Sequence, residues 1–228
     1  MTASRAIVTG TSSGIGKAIA TRLLADGWSV AGLDVSPASI VDARFDPFTV
    51  DLTDAADCVA KVKPLAGANA LVHAAGVLRV GMLGQAPLQD LALMWRLHVE
   101  AAVRLADLLV PPMQAGGRVV LVGSRVAHGA AGRGQYAATK AALVGLARSW
   151  AAEVVARGIT VNVVSPAATD TAMLGDPVRR SESPKVPLIG RLIEPGEIAS
   201  LVAYLLSTPA AAITGQEIVV CGGSSLPR

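Results

Sequence analysis

The sequence predicts an α/β fold with one doubly wound, parallel β-sheet and helices on both faces. Three observations predict it. Short apolar runs alternate with longer segments of helical periodicity along the chain. The first run opens directly into a glycine-rich turn and a helix pattern. The second run closes on an acid about 20 residues past that turn, the spacing of a dinucleotide-binding unit.

The elements follow in order. Ala6-Ile7-Val8 is too short for a helix and apolar throughout, so a buried parallel strand is expected near 5–9. Thr9-Gly10-Thr11-Ser12-Ser13-Gly14-Ile15-Gly16 comes next. Glycines at 10, 14 and 16 permit a tight turn, close approach of backbone to a pyrophosphate, and close helix–strand contact. The amides that open the following helix favour phosphate charge. Ile19, Ala20, Leu23 and Leu24 share one face of that helix, expected near 15–26. The spacing is Gly-x-x-x-Gly-x-Gly, not the commoner Gly-x-Gly-x-x-Gly. Ser29 to Asp34 reads as the second strand, near 29–34. Asp34 closes it, where a carboxylate accepts hydrogen bonds from ribose hydroxyls and repels a 2′-phosphate. No Lys or Arg stands within the glycine loop to offset that repulsion, so NAD is expected over NADP. Further strands are expected near 48–50, 70–74, 118–123, 159–164 and 217–220. Further helices are expected near 53–65, 88–112, 135–157 and 195–207. Right-handed crossovers should join them in one sheet. No linker, repeat or low-complexity segment interrupts the chain, so 1–228 is expected to be a single domain.

Composition excludes several functions. The 228 residues suit one α/β domain with a full core, and 52% are hydrophobic. Aromatic residues make up 3% and the net charge is +3 with scattered basic residues, so no nucleic-acid surface is expected. Cys58 and Cys221 lie far apart and offer no metal spacing, so no metal is expected. Two unpaired cysteines, an apolar strand beginning almost at Met1, and no apolar run long enough to span a bilayer lead to the expectation of a cytoplasmic protein away from membranes.

The chemistry is read from Tyr136-Ala137-Ala138-Thr139-Lys140, with Ser124 upstream. Tyrosine and lysine four apart on a helix share one face. A neighbouring ammonium favours the phenolate, which turns tyrosine into a proton carrier near neutral pH.

Together these features resemble the classical short-chain dehydrogenase/reductase family, and the resemblance covers nearly the whole chain. It implies a Rossmann-type fold. Gly10, Ser12, Ser13, Gly14, Ile15 and Gly16 match the cofactor loop, with Asp34 as the ribose contact. Asp51 and Leu52 match the adenine contact. Ala74-Ala75-Gly76 stands where the family's Asn-Asn-Ala-Gly motif ends. Ser124, Tyr136 and Lys140 match the catalytic trio, Tyr136 and Lys140 also touching the cofactor. Asn162 to Pro166 with Ala167, Thr169 and Thr171 resembles the segment beside the nicotinamide. Gly215-Gln216 and Gly222-Gly223 resemble the closing strand. The resemblance further implies a homotetramer paired through helices near 88–112 and 135–157, and a lid over the substrate within 172–190.

The activity expected is NAD-dependent interconversion of a secondary alcohol and a ketone, acting on a small molecule. Tyr136 would be the general acid/base, Ser124 would hold the substrate oxygen, and Lys140 would lower the tyrosine pKa and bind the nicotinamide ribose. An NADPH-dependent 3-oxoacyl-carrier-protein-type ketoreductase is the alternative enzyme. A silent NAD(H)-binding sensor or scaffold is the alternative of another class. Substrate contacts are expected from Ser124, Arg125, Tyr136, Ala167 and Met173, with Val126, His128, Ala130, Arg133 and Leu78 to Val80 around them. If Arg125 points inward, a small polar or acidic substrate is favoured.

Three positions depart from the family pattern. His98 stands where the family has a catalytic-tetrad asparagine that helps place a water. His98 is expected to hold that water, disturb the relay or add a pH dependence, with a purely structural histidine as the alternative. His73-Ala74 replaces the two asparagines, and His73 is expected to be a satisfied core histidine. Ala167 replaces a glycine after Pro166, adding one methyl to the pocket.

Overall fold

Apolar β-branched runs become strands where both faces are covered, and that holds along this chain. The computed structural model describes residues 4–175 and 186–226. Seven strands form one parallel sheet: β1 (Arg5–Thr9), β2 (Ser29–Asp34), β3 (Phe45–Thr49), β4 (Ala70–His73), β5 (Arg118–Val122), β6 (Thr160–Pro166) and β7 (Glu217–Val220). Their order is β3-β2-β1-β4-β5-β6-β7. The chain reverses direction across the sheet between β1 and β4, and ligands of open α/β sheets bind at such a switch point, beyond the strand C-termini.

Six α-helices cover the sheet: α1 (Gly14–Ala25), α2 (Ala55–Val62), α3 (Leu88–Trp95), α4 (Ala101–Leu109), α5 (Gly134–Val154) and α6 (Pro195–Leu206). One core layer packs α2, α4 and α5 against the sheet through Leu105, Leu143 and Ala147. The other packs α1 and α6 through Ile19, Leu23, Ile198 and Val202. These apolar stripes are what the 3.6-residue period of the sequence encodes.

The structure differs from the sequence expectation in two places that bear on function. β3 begins at Phe45, earlier than expected, because Pro47 reads as a break. The strand lies at the sheet edge, where a missing N–H is tolerated. The single long helix expected over 88–112 is instead two helices joined by a π-helical turn, Arg96–Glu100. That turn carries His98.

Of the expected lid, residues 176–185 lie outside the described residues. On its flanks, Ile189 N–H donates to the Gly222 carbonyl (3.1 Å), which ties the segment to the end of β7. No described helix is long and apolar enough to cross a membrane.

Candidate active site

The glycine loop is set by close packing at the C-terminal end of β1. Gly10 has φ +75°, and a Cβ there would lie 3.0 Å from the Ala75 backbone. A Cβ on Gly16 would collide with the Gly10 carbonyl and lie 2.8 Å from that of Thr9. Both glycines are therefore required by backbone-to-backbone contact. The loop leads into α1, which begins at Gly14 with no side-chain cap on its first amides. Asp34 braces it: Oδ2 accepts from Ser12 N–H and Oδ1 from Ser36 N–H, each at 2.9 Å. Asp51 accepts from the Thr53 amide and hydroxyl, and Leu52 is buried just beyond β3.

A cavity of about 320 Å³ opens beside this loop. It gathers Ile15, Ala74, Gly76, Ser124, Tyr136 and Lys140. Arg125, Pro166, Ala167, Thr169, Thr171 and Met173 join them. Residues more than a hundred positions apart thus line one cavity. Ser124 lies two residues past β5, and its Oγ accepts from Val126 N–H (3.2 Å) at the start of a 3-10 turn, Arg125–His128. Tyr136 and Lys140 sit one turn apart in α5, as their spacing requires. Lys140 Nζ lies 5.9 Å from the centre of the tyrosine ring.

Lys140 is buried, and its Nζ donates to the Val122 carbonyl at 2.8 Å. That uses one of three N–H donors. Burial pushes the ammonium down to about pKa 8, because the charged form has lost its water.

The two buried histidines are fully bonded, and their tautomers follow from their partners. Val77 N–H donates to His98 Nε2 (3.1 Å), so the proton is on Nδ1, which donates to Thr139 Oγ1 (2.9 Å). Thr139 in turn donates to the Tyr136 carbonyl (2.9 Å). The His98 ring meets the Tyr136 ring edge-on, centroids 5.7 Å apart at 86°. Both nitrogens of His98 are committed, so the ring holds no water by either. Its pKa lies well below the usual 6.5, from burial first and then the charge of Lys140, so it stays neutral at physiological pH. Of the readings the sequence leaves open for His98, these bonds and the ring contact match the structural histidine that packs behind Tyr136.

His73 is a satisfied core histidine. Thr9 Oγ1 accepts from Ala74 N–H and Ala75 N–H, both 2.9 Å, so its own proton goes to His73 Nδ1 (3.0 Å). His73 Nε2 donates to the Leu97 carbonyl (3.1 Å), an acceptor on the π-helical turn. This pair replaces the missing amides in tying β1, β4 and the π turn together. Burial, then Lys140, lowers the His73 pKa to about 4.

The expected pocket residues divide. Leu78, Val126, Ala130 and Arg133 line the cavity with Arg125. His128 turns away to Glu217 (3.2 Å), and Arg79 bonds the Leu78 carbonyl. Sequence reasoning missed Thr139 and Thr9 as organisers. The only local signal was their place beside Lys140 and Gly10.

Comparison with known proteins shows the family and the fold. A family model described as Enoyl-(Acyl carrier protein) reductase matches residues 10–225. A 3-oxoacyl-(acyl-carrier-protein) reductase of Vibrio cholerae is 37% identical over 234 residues, covering 96% of each chain. A short chain dehydrogenase from Burkholderia cenocepacia, solved in complex with NADP, is 32% identical at TM-score 0.85, covering 96% of this chain and 97% of that one. A blue fluorescent protein from a metagenomic library, solved in complex with NADPH, is 33% identical at TM-score 0.86, covering 97% and 98%.

Proposed function

Since this chain belongs to the short-chain dehydrogenase/reductase family, we propose that it interconverts a ketone and a secondary alcohol by hydride transfer, the ketone belonging to a 3-oxoacyl group. The observation that carries the reaction is the meeting of Ser124, Tyr136 and Lys140 in one cavity. The relatives' names support the 3-oxoacyl group, the alternative weighed from the sequence, over a general secondary alcohol.

The glycine loop, Ile15, Ala74, Gly76, Pro166, Ala167, Thr169 and Thr171 fit a nicotinamide cofactor: backbone alone crowds the loop, and a Cβ on Gly14 would meet Thr171 at 3.3 Å. The cofactor, when bound, supplies hydride to the carbonyl carbon or accepts it from the alcohol. Ser124 Oγ holds the substrate oxygen. Tyr136 gives its phenolic proton to that oxygen in reduction and takes it back in oxidation. Lys140 favours the phenolate and turns its remaining donors to the ribose hydroxyls. His98 and Thr139 fix the backbone at Tyr136.

For the nucleotide, Asp34 supports NAD(H). At a separation of about 4 Å, two unit charges of like sign repel by about 1 kcal/mol in water and 4 kcal/mol near a protein surface. A second reading, NADP(H), is supported by the two similar structures solved with NADP or NADPH. We extend the proposal to a homotetramer, supported by Leu88 and Trp95, 78% and 41% exposed on α3.

The test is turnover of a short 3-oxoacyl panel (acid, methyl ester, coenzyme A thioester) with NADH and with NADPH, Tyr136→Phe beside the wild type. The expected result is turnover that the variant loses, faster with NADH. Turnover that survives Tyr136→Phe refutes the mechanism.

A further inference from the structure

Two guanidinium groups flank the reacting residues. Arg125 directly follows Ser124, and Arg133 stands three residues before Tyr136. Both are half-buried and line the cavity. Among the described residues neither side chain has an acid at ion-pair distance or a hydrogen-bond partner. Among the described residues Arg96 and Arg148 also lack such partners, but both are exposed on the surface, whereas several other arginines are engaged. Arg5, Arg22, Arg44 and Arg191 each meet a carboxylate, and Arg79 bonds the Leu78 carbonyl with Asp90 at 4.0 Å.

The surroundings sharpen the imbalance. Leu78, Val126, Ala130, Met173, Leu174 and Val186 make the adjoining walls apolar. Among the described residues no Asp or Glu lines the cavity; its charged side chains are Arg125, Arg133 and Lys140. A cation drawn out of water into an apolar wall is unfavourable until an acceptor arrives. Arg133 is also the N-cap of α5, with no acid in the first turn of that helix. The helix dipole opposes a cation at that end and favours an anion. The cavity lining therefore offers an anion two planar five-donor forks, suited to both oxygens of a carboxylate.

We infer that the substrate carries a carboxylate, gripped by Arg125 and Arg133 beside the ketone that Ser124 and Tyr136 handle. The inference rests on the reading above and narrows it: the 3-oxoacyl group enters as the free acid. Anchoring the carboxylate on the Ser124 side fixes which face of the ketone meets the cofactor. Arg125 and Arg133 thereby decide both substrate choice and the hand of the alcohol.

The experiment compares acetoacetate, methyl acetoacetate and acetoacetyl-coenzyme A in the wild type, Arg125→Gln, Arg133→Gln, the double variant and Arg125→Lys. The wild type should favour acetoacetate over its neutral ester by about tenfold or more in kcat/KM, the range of one charged hydrogen bond. Each Gln variant should lose about 10- to 100-fold on acetoacetate, mainly through KM, and lose less on the ester, so that the acid-to-ester ratio of kcat/KM falls by about tenfold or more. Arg125→Lys should recover part of the loss, since charge returns without the fork. Equal rates for acid and ester overturn the inference, as does a parallel loss on both. A coenzyme A thioester that surpasses the acid, with an advantage lost in the Gln variants, assigns the arginines to a carrier phosphate instead. Calorimetric titration of acetoacetate into the NAD⁺-saturated protein reads the site without turnover. Binding by the wild type and not by the double variant keeps the anion site even if no probe is reduced, in which case the reaction assignment fails alone. No binding by the wild type refutes the site.

Discussion

Replacing Lys140 by methionine should stabilise the free protein while abolishing turnover. The ammonium is buried against one acceptor, the Val122 carbonyl at 2.8 Å, and its pKa is pushed down to about 8 from 10.5. That depression corresponds to roughly 3 kcal/mol of stability lost to the buried charge at pH 7. Methionine fills similar volume without the charge, but orphans the carbonyl, which costs about 1 kcal/mol. The net gain is about 2 kcal/mol, or about 4 to 8 °C in Tm for a chain of this size. The pH dependence has a definite sign. Below pH 8 both folded and unfolded chains hold this proton, so the cost is constant. Between 8 and 10.5 the folded protein releases it first, and wild-type stability rises with pH. The gap to Lys140→Met should therefore close over that window. Urea unfolding of both proteins from pH 7 to 10.5, with turnover measured in parallel, provides the check. A variant less stable than wild type at pH 7, or a gap that ignores pH, would refute the reasoning.

Other consequences are equally accessible. Both buried histidines are neutral when folded and take up a proton on unfolding, so stability should fall below pH 6.5 by roughly 1.4 kcal/mol per pH unit for each. His98→Asn should remove one proton from that uptake, measured by urea unfolding between pH 7 and 5; an unchanged slope would show that His98 titrates freely. Gly16→Ala should lower NADH affinity by about 100-fold or more, because the new methyl meets the Gly10 and Thr9 carbonyls, which cannot rotate away. Fluorescence titration gives the answer, and intact affinity would mean α1 does not pack so closely on β1. Asp34→Ser should raise the NADPH-to-NADH ratio of kcat/KM by about tenfold or more by removing the like charge. A ratio that stays put would leave NADP(H) as the better cofactor reading.

Part of the molecule was legible along the chain because the information is local. The glycine loop declares itself by residues within one turn, and Asp34 by its distance from that loop. Tyr136 and Lys140 share a helix face because four residues make about one turn. Strand and helix placement followed from apolar period, and β3 misled because a proline reads the same whether it ends a strand or sits on a sheet edge. The π-helical turn at Arg96–Glu100 left no mark, since its apolar positions satisfy a helix pattern on either side.

By itself, then, the sequence determined the order of strands and helices along the chain, the glycine turn, and the spacing that puts Tyr136 and Lys140 on one helix face. Packing decided the rest. His98 reaches Thr139 across 41 residues and His73 reaches Thr9 across 64. The first closes when the π-helical turn packs against α5, the second when β1 and β4 pair side by side. The same packing brings Arg125 and Arg133 into the lining of one cavity and turns His128 to Glu217. It also buries Lys140 until its charge becomes costly. A side chain's protonation, tautomer and partner depend on which distant surface covers it, and no local spacing carries that.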